Sequence, residues 1–321
     1  MQADSPLRRH VARVLALIGV LAVFAVAGPA SAATPRLNWA ALGDSYSSGT
    51  GLGDVTTNCD RDAYAYAPRA SWDILNRDYR IQQDFVACAD AATPDLIADQ
   101  VPLVSRRHTV ASLTIGGNDI GFGDKLRGCI AGFSCGPDLF SLSPDTADGP
   151  QTWDEIHDRL AAAYVLVRKR MDANGHLYVL TYPIPFARQS GGSCLVFDQT
   201  EQNAANALVT RLDDTIYWAT VRANELLQTV HGRPGNVHFV DWRTGTRVEN
   251  GYTIPAGYAD AGRSFATYVS PDGLCNTSGR TPLINGFVDI LGPNRGNSFH
   301  PNSTGYWLGA ELVSAAIRAH Q

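Results

Sequence analysis

The run Leu37-Asn38-Trp39-Ala40-Ala41-Leu42-Gly43-Asp44-Ser45-Tyr46-Ser47 carries an apolar segment that ends abruptly on a glycine, a carboxylate and a hydroxyl. A strand that stops at such a corner exposes the Ser45 hydroxyl at the carboxyl edge of a sheet, where α/β proteins place their chemistry. Gly, Asp and Ser are also ordinary turn formers, so the tripeptide gains meaning only from its partners. Two further clusters supply them. The apolar segment 110–115 runs into Gly116-Gly117-Asn118-Asp119, and Asn297-Ser298-Phe299-His300-Pro301-Asn302 precedes a final helix-patterned segment. A hydroxyl, an amide and an imidazole each stand at the border of a regular element. Ester hydrolysis needs such a set: a nucleophile, a base to take its proton, and donors for the oxygen of the tetrahedral intermediate.

Outward from these blocks, apolar runs alternate with helix-period segments. Strands are expected at 37–42, 81–87, 110–115, 177–181 and 237–240, and helices at 67–76, 152–173, 200–230 and 303–319. This alternation predicts an α/β protein, a three-layer α/β/α sandwich with a parallel central sheet and its chemistry at the carboxyl ends of the strands. Leu208, Leu212, Ile216 and Ala219 form one stripe of the 200–230 helix and are read as core. The stretch 244–297 is rich in Gly and Pro, shows no clear period and is too long for a simple connection. It is expected to shape the substrate pocket and deliver His300 to the sheet edge.

The amino terminus reads as an export signal. Arg8, Arg9 and Arg13 precede an apolar run from Val14 to Ala27, and Ala30-Ser31-Ala32 offers small residues for cleavage after Ala32. The run is short for a bilayer span, so no stable membrane span is expected after cleavage, and the product is read as secreted. Residues 33–321 then form one catalytic domain of 289 residues, taken to be a monomer. The leader holds three Arg and one Asp, which leaves 23 basic and 30 acidic residues, a net charge of −7. With no basic stripe interleaved with aromatics, nucleic acid is not an expected partner. Six cysteines remain in the exported part: Cys59, Cys88, Cys129, Cys135, Cys194 and Cys275. An even count outside the cytoplasm points to disulfides, and the fifteen possible pairings stay open on count alone. No Cys-x-x-Cys pair or adjacent histidine suggests a metal site, and no cofactor is expected.

The three blocks and their order resemble the SGNH hydrolases, also called the GDSL esterase/lipase family, and in particular its secreted actinobacterial esterases, lipases and phospholipases. The resemblance covers nearly the whole mature chain. It implies that Ser45 is the nucleophile and His300 the base, that the backbone N–H groups of Ser45 and Asp90 with the Asn118 amide form the oxyanion hole, and that the cysteines pair sequentially, Cys59 with Cys88, Cys129 with Cys135, Cys194 with Cys275. It also implies a small-molecule or lipid ester as substrate. Two positions depart from the family pattern. Asp90, in Cys88-Ala89-Asp90-Ala91, occupies the place of a glycine, and Asn297 that of the aspartate three residues before the histidine. An Asp keeps the backbone donor and tolerates positive φ better than most residues. Without the aspartate, a main-chain carbonyl of Asn297 or Ser298 is expected to orient His300, giving a Ser-His dyad. A carbohydrate O-acetyl esterase with the same residues, and a non-catalytic secreted binding protein with a decayed site, are the rival readings.

Other features carry no role in this reading. His108, His157, His176, His231, His238 and His320 are taken as packing or surface residues. The glycines of Gly49-Thr50-Gly51-Leu52-Gly53-Asp54 lack the last glycine of a dinucleotide fingerprint and are read as a loop that approaches the substrate.

Overall fold

The computed structural model describes residues 34–53, 59–130, 142, 152–187, 194–243, 246–249, 252–255, 268–269, 272–277, 279–287 and 297–321. The expected cleavage site lies outside them. Five strands, β1 (Arg36–Ala41), β2 (Arg80–Phe85), β3 (Val110–Leu113), β4 (His176–Leu180) and β5 (Val237–Val240), form one parallel sheet in the order β2-β1-β3-β4-β5. The order reverses direction between β1 and β3. That reversal opens a crevice at the carboxyl ends of these two strands, the position where doubly wound sheets bind ligands.

Seven helices are relevant to the site: α1 (Ser45–Ser48), α2 (Tyr66–Arg69), α3 (Thr93–Asp95), α4 (Phe122–Ile130), α5 (Trp153–Arg170), α6 (Gln199–Thr229) and α7 (Ser303–His320). α2 runs on as a π-helical turn, Ala70–Leu75, and together they pack against α7. α5 and α6 pack on each other, giving the second helical layer of the sandwich. β3 is buried at all four positions, as a central strand covered on both faces must be. The α6 stripe Leu208, Leu212, Ile216 and Ala219 is buried in the core.

Local chemistry fixes where the long helices start. Asp198 and Glu201 form a reciprocal capping box on α6, the Asp198 carboxylate accepting from Glu201 N at 2.9 Å and Glu201 accepting from Asp198 N at 2.8 Å. Thr152 caps α5 by accepting from Glu155 N. Asn302 caps α7, its Oδ1 accepting from the N–H groups of Thr304 and Gly305. Because Asn302 follows His300 by two residues, this cap pins the histidine loop to a rigid helix.

The short helical turns Thr93–Asp95 and Leu96–Gln100 are additions to the sequence expectation. Another is a small antiparallel sheet formed by Thr246–Glu249, Tyr252–Pro255 and Tyr268–Val269. These three pieces lie in the Gly- and Pro-rich stretch, where the sequence shows no clear period. Cys59 is bonded to Cys88, and Cys194 to Cys275; the Cys129–Cys135 pair falls outside the described residues. Among the described residues no helix is long and apolar enough to cross a membrane.

Candidate active site

The site starts from the corner after β1. Gly43 sits at φ 119° in the positive region, and a Cβ there would lie 2.5 Å from the Thr114 carbonyl oxygen, so only glycine brings the β1 and β3 ends this close. Gln100 clamps the corner, its Oε1 accepting from Gly43 N at 2.8 Å and its Nε2 donating to Gly43 O at 2.9 Å. Asp44 then caps α1 by accepting from Tyr46 N at 3.0 Å, and Ser45 becomes the first helical residue. A first-turn N–H has no partner within its own helix. Among the described residues, neither Ser45 N nor Asp90 N donates to a main-chain carbonyl.

His300 meets Ser45 from the opposite wall. Its Nε2 lies 2.8 Å from Ser45 Oγ and its Nδ1 3.2 Å from the Ser298 carbonyl oxygen. A carbonyl can only accept, so this contact places the ring proton on Nδ1 and leaves the Nε2 lone pair facing the serine. The Asn297 carbonyl instead accepts from the His300 backbone N–H at 3.4 Å and from Asn285 Nδ2 at 3.3 Å. Of the two carbonyls considered from sequence, that of Ser298 is the one at the imidazole. Tyr46 supports the loop by donating its hydroxyl proton to the Phe299 carbonyl at 2.6 Å. Gly51 backs the same loop: a Cβ there would stand 2.8 Å from His300 Cβ. The glycines after Ser45, read as approaching substrate, thus include one whose close approach is to His300.

The Asn118 side chain, at the end of the β3 block, donates to the Ala91 carbonyl at 2.9 Å. One amide hydrogen therefore fastens the Asp90 loop, and the second is available to a ligand. Asp90 adopts φ 62°, the conformation glycine favours, and its side chain is exposed. Asp119 holds the same loop by accepting from Thr93 N and, at 2.5 Å, from Thr93 Oγ1.

Beneath the serine runs a buried network. Asp44 accepts from Thr114 Oγ1 at 2.6 Å and from Tyr182 Oη at 2.5 Å, and Tyr182 Oη in turn accepts from Gly117 N at 3.0 Å. Burial lifts the Asp44 carboxyl to about 6, more than these hydrogen bonds can offset. Burial likewise drives the Tyr182 hydroxyl far above its ordinary range, so it remains a donor. Thr114 and Tyr182 lie at strand ends on the same sheet edge, which a sequence reading can flag; Gln100 and Asn285 carry no such signal.

Ser45, Asp90, Asn118 and His300 line one cleft that encloses about 760 Å³ including its open mouth. Its remaining wall is largely apolar, with Phe122, Leu126, Val209, Leu212 and Phe299. Among the described residues no group of three or more His, Cys, Asp or Glu side chains is arranged to hold a metal ion. The arrangement suits proton transfer from a hydroxyl to an imidazole beside donors for a developing oxyanion.

Comparison with known proteins agrees with this chemistry. The chain is 33% identical over 211 residues to a lipase of Streptomyces rimosus, covering 62% of this chain and 71% of that protein. It is 29% identical over 197 residues to Lipase 1 of Streptomyces coelicolor, covering 59% and 69%. The fold is similar to the crystal structure of phospholipase A1 from Streptomyces albidoflavus, with a TM-score of 0.60 at 22% identity over 89% of this chain and all of that one. It is also similar to that of the extracellular lipase from Streptomyces rimosus, with a TM-score of 0.58 at 23% identity over the same shares. The model of the GDSL-like lipase/acylhydrolase family matches residues 41–308, spanning the Ser45, Asn118 and His300 blocks. With that match added to a serine, a histidine and an amide gathered in one cleft, the chain belongs to the GDSL-like lipase/acylhydrolase family and is a carboxylic ester hydrolase.

Proposed function

We propose that the protein is a secreted hydrolase of lipid-type carboxylic esters that works through an acyl-serine intermediate with a Ser45–His300 dyad. Ser45 Oγ attacks the ester carbonyl carbon while His300 Nε2 accepts its proton, and the Ser298 carbonyl holds the imidazolium through Nδ1–H. The N–H groups of Ser45 and Asp90 and the Asn118 amide stabilise the oxyanion. His300 then protonates the departing alcohol and activates the water that releases the acid. The observation that carries this reading is the 2.8 Å approach of His300 Nε2 to Ser45 Oγ.

The apolar wall of Phe122, Leu126, Val209, Leu212 and Phe299 favours an acyl chain over an acetylated sugar, whose hydroxyls need polar partners. A leader at 1–32 and a catalytic domain at 33–321 complete the proposal, and the two disulfides fit an oxidising compartment. The test is labelling with a fluorophosphonate, followed by a panel running from acetyl to long-chain esters, phospholipids and acetylated sugars. Labelling that disappears in Ser45→Ala, with turnover greatest on fatty-acyl esters, is expected. An unchanged rate in Ser45→Ala, or acetate release from sugars alone, would overturn it.

A further inference from the structure

Cys194-Leu195-Val196-Phe197 is a tight two-residue hairpin turn, closed by Cys194 N to Phe197 O at 2.8 Å and Phe197 N to Cys194 O at 3.0 Å. Leu195 sits at φ 60°, while Val196 is not in the positive region. A positive φ at the first central residue alone is the pattern of a II′ turn, which calls for glycine there and tolerates a small polar residue next. This chain has leucine and valine instead, and both are exposed, 46% and 52%. The sequence thus departs from local preference twice at one point, in conformation and in polarity. Backbone strain kept at one place points towards function.

The turn is firmly mounted. Cys194 is bonded to Cys275, and Asp198, the residue after the turn, caps the 31-residue α6. It also adjoins the site. The buried Phe197 ring packs edge-on against Phe299 at 5.7 Å, and Phe299 lines the cleft beside His300. Phe186 and Phe287 complete that aromatic cluster. An exposed apolar tip therefore continues inward, through one ring contact, into the wall of the substrate cleft.

We propose that Leu195 and Val196 insert into a zwitterionic lipid surface and seat the cleft on it. The inference rests on the lipid-ester reading above. A zwitterionic surface fits because Asp198 and Glu201 flank the tip, which would be repelled from an anionic one. Adsorption would present acyl chains at the mouth of the cleft without changing the chemistry within it.

The test uses the mature protein with its disulfides intact and the double variant Leu195→Gly with Val196→Ser, which suits the turn better than the native residues. Sedimentation with phosphatidylcholine vesicles should fall at least about tenfold in partition coefficient, as expected for losing two apolar side chains from a lipid contact. Hydrolysis of phosphatidylcholine in those vesicles should fall in parallel, whereas kcat/KM on soluble p-nitrophenyl acetate should stay within twofold and Tm should not fall. Equal sedimentation of the two proteins, or an equal loss on the soluble ester, would overturn the proposal. If the double variant unfolds, Val196→Ser alone is read by the same criteria. Hydrolysis of a short-chain phosphatidylcholine below its micelle concentration tests the lipid-ester reading separately. Wild type active there but not bound to vesicles would sink the surface assignment and leave the chemistry standing.

Discussion

Replacing Asp44 by Asn should remove a pH-dependent weakness at the foot of the active site. The Asp44 carboxyl is fully buried, and burial raises its pKa from 3.8 to about 6 against the opposing hydrogen bonds from Thr114, Tyr182 and Tyr46 N. The folded protein then holds this proton over a range in which the unfolded chain has lost it. The stabilisation is complete below pH 3.8, declines between about pH 4 and 6, and is gone above about 6. The distance between 3.8 and about 6 corresponds to about 3 kcal/mol. An asparagine keeps an oxygen for Tyr46 N and Thr114 Oγ1 but sets an NH₂ against Tyr182 Oη, at a pH-independent cost of about 1–2 kcal/mol. Asp44→Asn should therefore be less stable than wild type at pH 4 and more stable at pH 7. Guanidinium unfolding of both proteins from pH 4 to 8 measures this, because the other titrating groups cancel in the difference. A difference that stays flat to within about 0.5 kcal/mol across that range would refute the reasoning.

Three further outcomes follow from the same geometry. Asn118→Ala should lower kcat by about 10²- to 10³-fold with little change in KM; a loss under about threefold would remove Asn118 from the oxyanion hole. Asn297→Asp should leave kcat/KM equal or higher, since the Ser298 carbonyl already engages His300 Nδ1 at 3.2 Å; a large loss would show that the asparagine side chain itself matters. Gly51→Ala should push the His300 loop away, because the new Cβ would meet Pro301 O at 2.6 Å and His300 Cβ at 2.8 Å while φ stays at 108°. Its expected signature is at least a tenfold loss of kcat/KM together with about 1–2 kcal/mol of stability, and normal kinetics would show that the loop tolerates the strain.

The sheet was legible because its evidence is local. Four of the five strands are short, mainly apolar runs bounded by turn residues, β2 (Arg80–Phe85) being largely polar, and the observed bounds lie within a few residues of the expected ones. The helices from 153, 199 and 303 were legible for the same reason, through their apolar stripes. The second sheet was not, because Thr246–Glu249, Tyr252–Pro255 and Tyr268–Val269 lie in the Gly- and Pro-rich stretch and mix polar with apolar residues or are only two residues long. At the site, Ser45, Asn118 and His300 stand out as polar residues placed where an apolar element ends. Gln100 does not: it lies inside a helical turn and matters only because the fold carries that turn over Gly43.

The two family departures show how backbone geometry can hold a site while a side chain changes. At Asp90 the chain keeps φ 62°, so the N–H retains a glycine-like orientation and the carboxylate is left in solvent. At Asn297 the side chain is removed from the imidazole's service, and the main chain one residue later supplies the acceptor. In both cases the contact that the proposed mechanism calls for belongs to a peptide group. A peptide group depends on the path of the loop, and that path is fixed by residues elsewhere: Asn118 and Asp119 for the first loop, Asn285 and the Asn302 cap for the second. Substitutions at those supporting positions should therefore disturb the site more than further changes at 90 or 297.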